Sequence, residues 1–222
     1  MIHSLFFKKE TNEDPKTSAV FENLILLPDT MFWSVLKQSC FDSESMPSNC
    51  GSLQEYKFWP HWDPKGTMNT NYVEPDVFFK FDEFDVIIEA KYGDFGGQKE
   101  RQWRDEILAY HNEYSNNKKL VFIAVGGFQT KHRVELMVNG VKVNVYKCSW
   151  QSILDSIEEL RKSFCNTSST IESAQVRILD NLSLYYETQK MKTVKWELPK
   201  KYSINTISII NLKQSFSWTN QN

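Results

Sequence analysis

The chain has 222 residues, of which 41% are hydrophobic, 14% aromatic and 24% charged, with a formal net charge of -2. That length suits one domain with an appended piece, and the mixture excludes the disordered, collagen-like and low-complexity classes. The near-neutral total gives no support to nucleic-acid binding, although base is unevenly placed: residues 1–139 hold 15 Lys and Arg against 21 Asp and Glu (net -6), and residues 140–222 hold 11 against 7 (net +4).

The longest apolar run, LVFIAV at 120–125, is too short to cross a bilayer, and the start MIHSLFFKKE has no apolar region behind a basic one. A cytoplasmic protein without membrane contact is expected. Cys40, Cys50, Cys148 and Cys165 lack C-x-x-C spacing, so free thiols are expected rather than disulfides or zinc.

Asp14 before Pro15 predicts a helix start, with an acceptor at N-cap and a fixed φ at N1, and the helix runs towards Pro28. Asp29 is the predicted cap of a second helix, TMFWSVLKQS, with Phe32, Val35 and Leu36 on one face. Residues 40–71 are rich in Ser, Pro, Asn and Gly around YKFWPHWDP, which predicts a strand near 56–59 inside a long loop with room to move. There Phe58, Trp59 and Trp62 read as a packed edge of the core, with stacking on nucleobases as the alternative. His61 and His111 have no partner at ligand spacing and read as neither metal ligand nor general base.

Two strand-like runs follow, DVFFKF and DVIIEAKY, then a helix over about 97–114 with Trp103, Ile107, Tyr110 and Tyr114 on its buried face. KLVFIAVGG reads as a central strand covered on both sides, and strand, helix, strand in this order predicts a crossover between parallel strands. Alternation on both sides of Asn139-Gly140 predicts a hairpin with a two-residue turn. Two helices come next, SWQSILDSIEELRKS and, after a capping box from Ser169 to Glu172, TIESAQVRILDNLSLYYETQ. The tail gathers Lys190, Lys192, Lys195, Lys200 and Lys201 around Trp196, with Glu197 opposing, and one short strand is expected near INTISII. This basic stretch reads either as a solvated tail or as a contact for phosphates.

The two strand-like runs carry acid where burial makes charge costly. Alternation puts Asp85, Ile87, Glu89 and Lys91 on one face. With Asp82 and Glu83 as a two-residue turn, Phe81 pairs with Phe84 and Asp76 stands opposite Glu89; a four-residue link leaves the two acids diagonal, still on one face. Directly opposed Cβ atoms lie about 4.5–5.5 Å apart, so the carboxylates repel, and desolvation adds to the cost. Lys91 compensates in part, and converging carboxylate oxygens also suit a divalent cation such as Mg²⁺. The plainer reading is a solvated sheet face with an ordinary Glu89–Lys91 ion pair. Apolar neighbours and the glycine-containing loop that follows favour a site.

EPDV with Asp76 and IIEAK with Glu89 and Lys91, on hairpin-linked strands followed by a helix and a strand, resemble the PD-(D/E)XK nuclease superfamily, also called restriction-endonuclease-like. The resemblance covers residues 15–126, a little over half of the chain, through a short and degenerate motif. It implies an α/β fold with a mixed sheet and a restriction-endonuclease-like αβββαβ core, placed over 1–150; the helices read from the sequence over 151–222 are expected as a C-terminal extension packed on the same domain. It also implies a nuclease that binds Mg²⁺ or Mn²⁺ through Asp76 and Glu89, with Lys91 beside the attacking water. Glu22 resembles the accessory acid that many members carry on the first helix, here a third metal ligand. Gln102 resembles their accessory glutamine after the lysine strand, with Gln98 and Glu106 as rivals. Glu74 stands before Pro75 where the motif begins with a bare Pro-Asp, and reads as either assisting or facing water. DNA is the expected substrate, in restriction or antiphage defence, for a homodimer or a subunit of a multi-protein defence complex. RNA as substrate and a non-catalytic binding module are the alternatives. Segments beyond Gly127 match nothing in the family, so substrate recognition does not carry over.

Overall fold

Strands β3 (Val77–Phe81) and β4 (Phe84–Ala90) are buried along almost their whole length, as near-continuous apolar runs require when both faces of a sheet are covered. The computed structural model describes residues 13–114, 118–164 and 170–191. Asp82 and Glu83 join the two strands, and the register pairs Val77 with Ile88, Phe78 with Ile87, Phe79 with Val86 and Lys80 with Asp85. The two-residue link is therefore the one that forms.

Around this hairpin, β2 (Leu53–Phe58) lies antiparallel to β3, β5 (Lys119–Val125) parallel to β4, and β7 (Val141–Cys148) parallel to β5. The short β1 (Cys40–Phe41) and β6 (Val134–Val138) both pair antiparallel with β7. The result is a mixed seven-stranded sheet in the order β1-β7-β5-β4-β3-β2, with β6 on β7. Helices α1 (Glu13–Leu24), α2 (Asp29–Ser39), α3 (Glu100–Glu113), α4 (Trp150–Phe164) and α5 (Thr170–Thr188) complete a mixed α/β fold.

The sheet buries one set of side chains on each face. Phe79, Val86, Ile88, Ile123 and Val125 meet Phe21 of α1, Phe32 and Trp33 of α2, Trp150 and Ile153 of α4 and Leu182 of α5. Phe78, Ile87, Phe122 and Ala124 meet Trp103, Ile107 and Tyr110 of α3, together with Trp62 and Val73. Each large side chain so buried contributes about 1.5–3 kcal/mol. Helices α4 and α5 thus share the core of the sheet.

Several local expectations shift. Among the described residues helix α1 runs from Glu13 to Leu24, so Asp14 lies within it and not ahead of it. Asp29 is the first residue of α2, with Pro28 at N-cap; its Oδ2 accepts the Leu53 N–H at 3.0 Å, so it ties α2 to β2 instead of capping its own helix. Helix α3 starts at Glu100, because Gly96 and Gly97 take φ of 76° and 105°. The 59–74 loop is pinned: Trp62 and Val73 bridge, and Asn112 Nδ2 donates to the carbonyls of Asp63 and Lys65 at 2.9 Å each. Phe58, Trp59 and Trp62 are buried there, as the packed edge of the core. Asn139 and Gly140 form the expected two-residue turn at φ 49° and 79°. Cys40, Cys50 and Cys148 are free and buried. Cys165, the capping box at Ser169 and the tail from Lys192 onward lie outside the described residues. No helix among the described residues is long and apolar enough to cross a membrane.

Candidate active site at the end of strand β4

Asp76 stands one residue before the first pair of β3, and its backbone is held from the neighbouring strand. Trp59 donates its N–H to the Asp76 carbonyl at 3.0 Å while taking φ 48°, a conformation uncommon for a bulky residue. The Asp76 side chain turns to β4, where its Oδ2 accepts the Ala90 N–H at 2.7 Å. Continuing the observed register by one pair places Asp76 opposite Glu89, and both are buried, at 7% and 2% exposure.

Glu89 collects donors from two elements. Gln102 Nε2 on α3 donates to Glu89 Oε1 at 2.7 Å, and the Lys91 ammonium donates to the same oxygen. Gln98 Nε2 donates to the Glu89 main-chain carbonyl at 2.9 Å, while Gln98 Oε1 accepts from the Trp103 indole at 2.7 Å. The three rivals on this stretch therefore divide the work: Gln102 takes the carboxylate and Gln98 the backbone.

Glu106, the third, lies one turn beyond Gln102 and is 1% exposed, with its carboxyl beside Glu89 and Gln102. Burial, then the charge of Glu89 and a hydrogen bond with it, then the charge of Asp76, hold its pKa well above the usual carboxylate range. The signal for it was present. Glu106 falls three residues after Trp103 and four before Tyr110, an acid on the apolar stripe of the helix.

Lys91 rests on a scaffold from the next strand. Its N–H donates to the Val125 carbonyl at 2.8 Å, and its own carbonyl accepts from the Trp150 indole at 2.7 Å. Its stem lies over Gly127, where φ is 67° and an added Cβ would come within 2.7 Å of Lys91 Cβ and Cγ. Only glycine leaves that space.

Lys16 on α1 is a member that sequence reading missed. Its ammonium donates to the Tyr92 carbonyl at 3.1 Å and sits 4.5 Å from the Trp150 ring centre. Burial lowers its pKa to about 8, against a smaller opposing pull from Asp94. Nothing local announces this lysine, because its hydrogen-bond partner lies 76 positions away. Glu22 sits half-buried on the same helix and accepts a hydrogen bond from Ser18. Glu74 pairs with His61 at 2.8 Å, and the His61 ring stacks on Tyr72 at 3.7 Å, so this histidine has partners that spacing did not reveal. Beside the centre lies a cavity of about 270 Å³ whose lining includes Glu74, Lys99, Arg101, Gln102 and Glu106.

The acid at the other end of β4 is structural. Asp85 Oδ2 accepts from the Tyr110 hydroxyl at 2.8 Å, and the Lys118 ammonium lies 2.8 Å from Oδ1. Burial and Asp85 together push the Tyr110 phenol above its ordinary pKa.

Hard carboxylate oxygens from Asp76 and Glu89 are the donors that Mg²⁺ and Mn²⁺ take, and the buried Glu106 carboxyl lies beside them. Among the described residues, no group of three or more His, Cys, Asp or Glu side chains is arranged as a metal shell. The donor type fits Mg²⁺, which binds through one or two carboxylates and completes its shell with waters and substrate phosphates.

No protein-family model matches the chain. The sequence is similar to an uncharacterized protein of Pasteurella multocida (strain Pm70), at 28% identity over 229 residues, which covers 93% of this chain and 82% of that protein.

Proposed function

We propose that this chain is a metal-dependent nuclease of the PD-(D/E)XK kind, hydrolysing phosphodiester bonds with DNA as its substrate. The observation that carries this reading is the meeting of Asp76, Glu89, Lys91 and Gln102 at one end of the β3–β4 hairpin, joined through the Ala90–Asp76, Gln102–Glu89 and Lys91–Glu89 hydrogen bonds. Three antiparallel strands followed by α3 and a parallel β5 also support a restriction-endonuclease-like core.

Asp76 and Glu89 would hold Mg²⁺ or Mn²⁺, with Glu22 of α1 as a further proposed donor. When bound, the cation supplies Lewis-acid polarisation of a phosphate oxygen and a more acidic water. The Ala90 N–H orients the Asp76 carboxylate, and Gln102 orients that of Glu89. Lys91, held from below by Gly127 and through its carbonyl by Trp150, presents its ammonium where it can orient a water or neutralise charge growing on the phosphate. Burial strengthens each of these interactions relative to water. Restriction or antiphage defence in the cytoplasm, as a homodimer or a subunit of a larger complex, is the wider setting we propose.

The test is incubation of the purified full chain with plasmid, linear duplex, single-stranded DNA and RNA, each with Mg²⁺, Mn²⁺ or EDTA. DNA cleavage is expected, lost with chelator and in Asp76→Ala, Glu89→Ala and Lys91→Ala, all three still melting cooperatively. Undiminished cleavage in any one of them refutes the assignment. Cleavage of RNA alone moves the substrate class, and binding without cleavage under every metal condition leaves a non-catalytic module.

A further inference from the structure

The aromatic side chains that sequence reading offered for nucleobases, Phe58, Trp59 and Trp62, are buried. The structure exposes others in their place. Phe95 is 89% exposed, the highest value among the large exposed hydrophobic residues, and Tyr72 is 41% exposed. Each belongs to a chain segment adjoining the carboxylate–lysine centre: Tyr72 lies four residues before Asp76, and Phe95 four residues after Lys91. Four residues span at most about 14 Å, so both rings stay within reach of a strand bound at that centre.

Phe95 is held outward by anchored chain on both sides. Gly127 donates its N–H to the Gly93 carbonyl at 2.7 Å, Gln98 donates its own to the Gly127 carbonyl at 3.1 Å, and Asp94 Oδ1 accepts the Trp150 N–H at 3.3 Å. Tyr72 is held as well, since its ring stacks on His61, which pairs with Glu74. Phe95 is left in water, and Tyr72, with one face covered by His61, keeps the rest of its ring exposed. Lys99 and Arg101 are exposed on the same stretch, make no ion pair among the described residues, and line the cavity together with Gln102 and the acids Glu74, Asp105 and Glu106. Free cations beside fixed rings match a polyanion that carries flat aromatic groups. In a duplex those flat faces are covered by neighbouring bases, whereas unpaired bases offer them.

We infer that the site takes DNA with unpaired bases, a single strand or a flap, with Phe95 and Tyr72 stacking on bases that flank the reacting phosphate and Lys99 and Arg101 neutralising the backbone. This rests on the nuclease reading for its chemistry and deepens it by naming the substrate form.

The experiment measures fluorescence anisotropy in EDTA, using fluorescein-labelled single-stranded, blunt-duplex and flapped DNA of one sequence, with cleavage followed separately in Mn²⁺. The wild-type chain binds the single strand and the flap more tightly than the blunt duplex. Phe95→Ala and Tyr72→Ala each lower that affinity about five- to hundredfold, the range expected for one lost stacking contact, and leave duplex affinity unchanged. Phe95→Trp retains the preference. Charge removal in Lys99→Gln with Arg101→Gln weakens binding to all three forms and reduces the salt slope. Equal or tighter binding to blunt duplex, or unchanged affinity in Phe95→Ala and Tyr72→Ala, overturns the inference and leaves the nuclease reading standing. A ring-dependent preference without cleavage under any metal condition supports stacking and sinks the nuclease. Failure to bind any of the three forms in EDTA, together with no cleavage in Mn²⁺, removes both.

Discussion

Asp85 and Glu106 are both buried acids on the α3 side of the sheet, and the protein treats them in opposite ways. Asp85 is reached by the Tyr110 hydroxyl and the Lys118 ammonium. Replacing it by Ala strands both partners, and is expected to destabilise the fold by about 2–4 kcal/mol in denaturant unfolding. Cleavage per folded molecule should not change, since four residues of strand, about 13 Å, separate Asp85 from Glu89. Glu106 is harder to ionise in the fold, because burial and the charges of Glu89 and Asp76 raise its pKa. Its folded pKa lies above the unfolded value, so the unfolded chain releases this proton first, and stability is lost as pH climbs from about 4.3 towards the folded pKa. Glu106→Gln removes that titration. Melts in EDTA should nearly coincide at pH 4 and show the variant gaining as pH rises to 8; a gap that does not vary with pH would contradict the raised pKa. Asp76, Glu89 and Lys91 were legible as a face because alternation along a strand needs no tertiary knowledge. Glu106 was read only as a rival of Gln102, since the importance of a buried acid depends on which charges face it.

The elements that sequence signals located best are those whose geometry is local. Asn139 and Gly140 both adopt positive φ, and a two-residue turn demands that of its own residues alone. The Asp82–Glu83 link was resolved between two registers only by the pairing itself, which depends on how both strands bury their apolar faces. Asp29 looked like a cap because the residue type suits one; in the fold, the Leu53 N–H across the chain takes its carboxylate. The glycine pair that ends β5 gave no sequence clue to its role. Its meaning appears when β5 lies beside β4 and Gly127 passes under the Lys91 stem. Gly127→Ala should therefore displace Lys91, both through the added Cβ and through the strained positive φ. A displacement on the ångström scale is worth about a hundredfold in cleavage rate. Mn²⁺ binding by calorimetry should persist, because Asp76 and Glu89 are not touched, and a variant that cleaves at the wild-type rate would show that the cradle does not position Lys91.

At the scale of the whole molecule, the hairpin, α3 and the loop before Asp76 converge on one point, and a cation bound there would tie them together. Mn²⁺ at tenfold excess over its Kd should raise the melting temperature by about 3–6 °C through mass action, and the rise should vanish in Asp76→Ala. An equal rise in that variant would place the cation elsewhere. The sequence by itself determined the periodicities: which residues alternate on β3 and β4, where α3, α4 and α5 run, where the β6–β7 hairpin turns, and that acid recurs within an apolar strand. Those follow from backbone repeat and burial, which act over a few neighbouring residues. Only the tertiary structure decided which aromatic rings are buried and which face water, that Glu106 lies beside Glu89, and that Lys16 and Trp150 meet at the end of β4. These contacts join residues tens of positions apart, and solvent exclusion, which sets their charge states and their availability to a ligand, exists only once the sheet and its helices close around them.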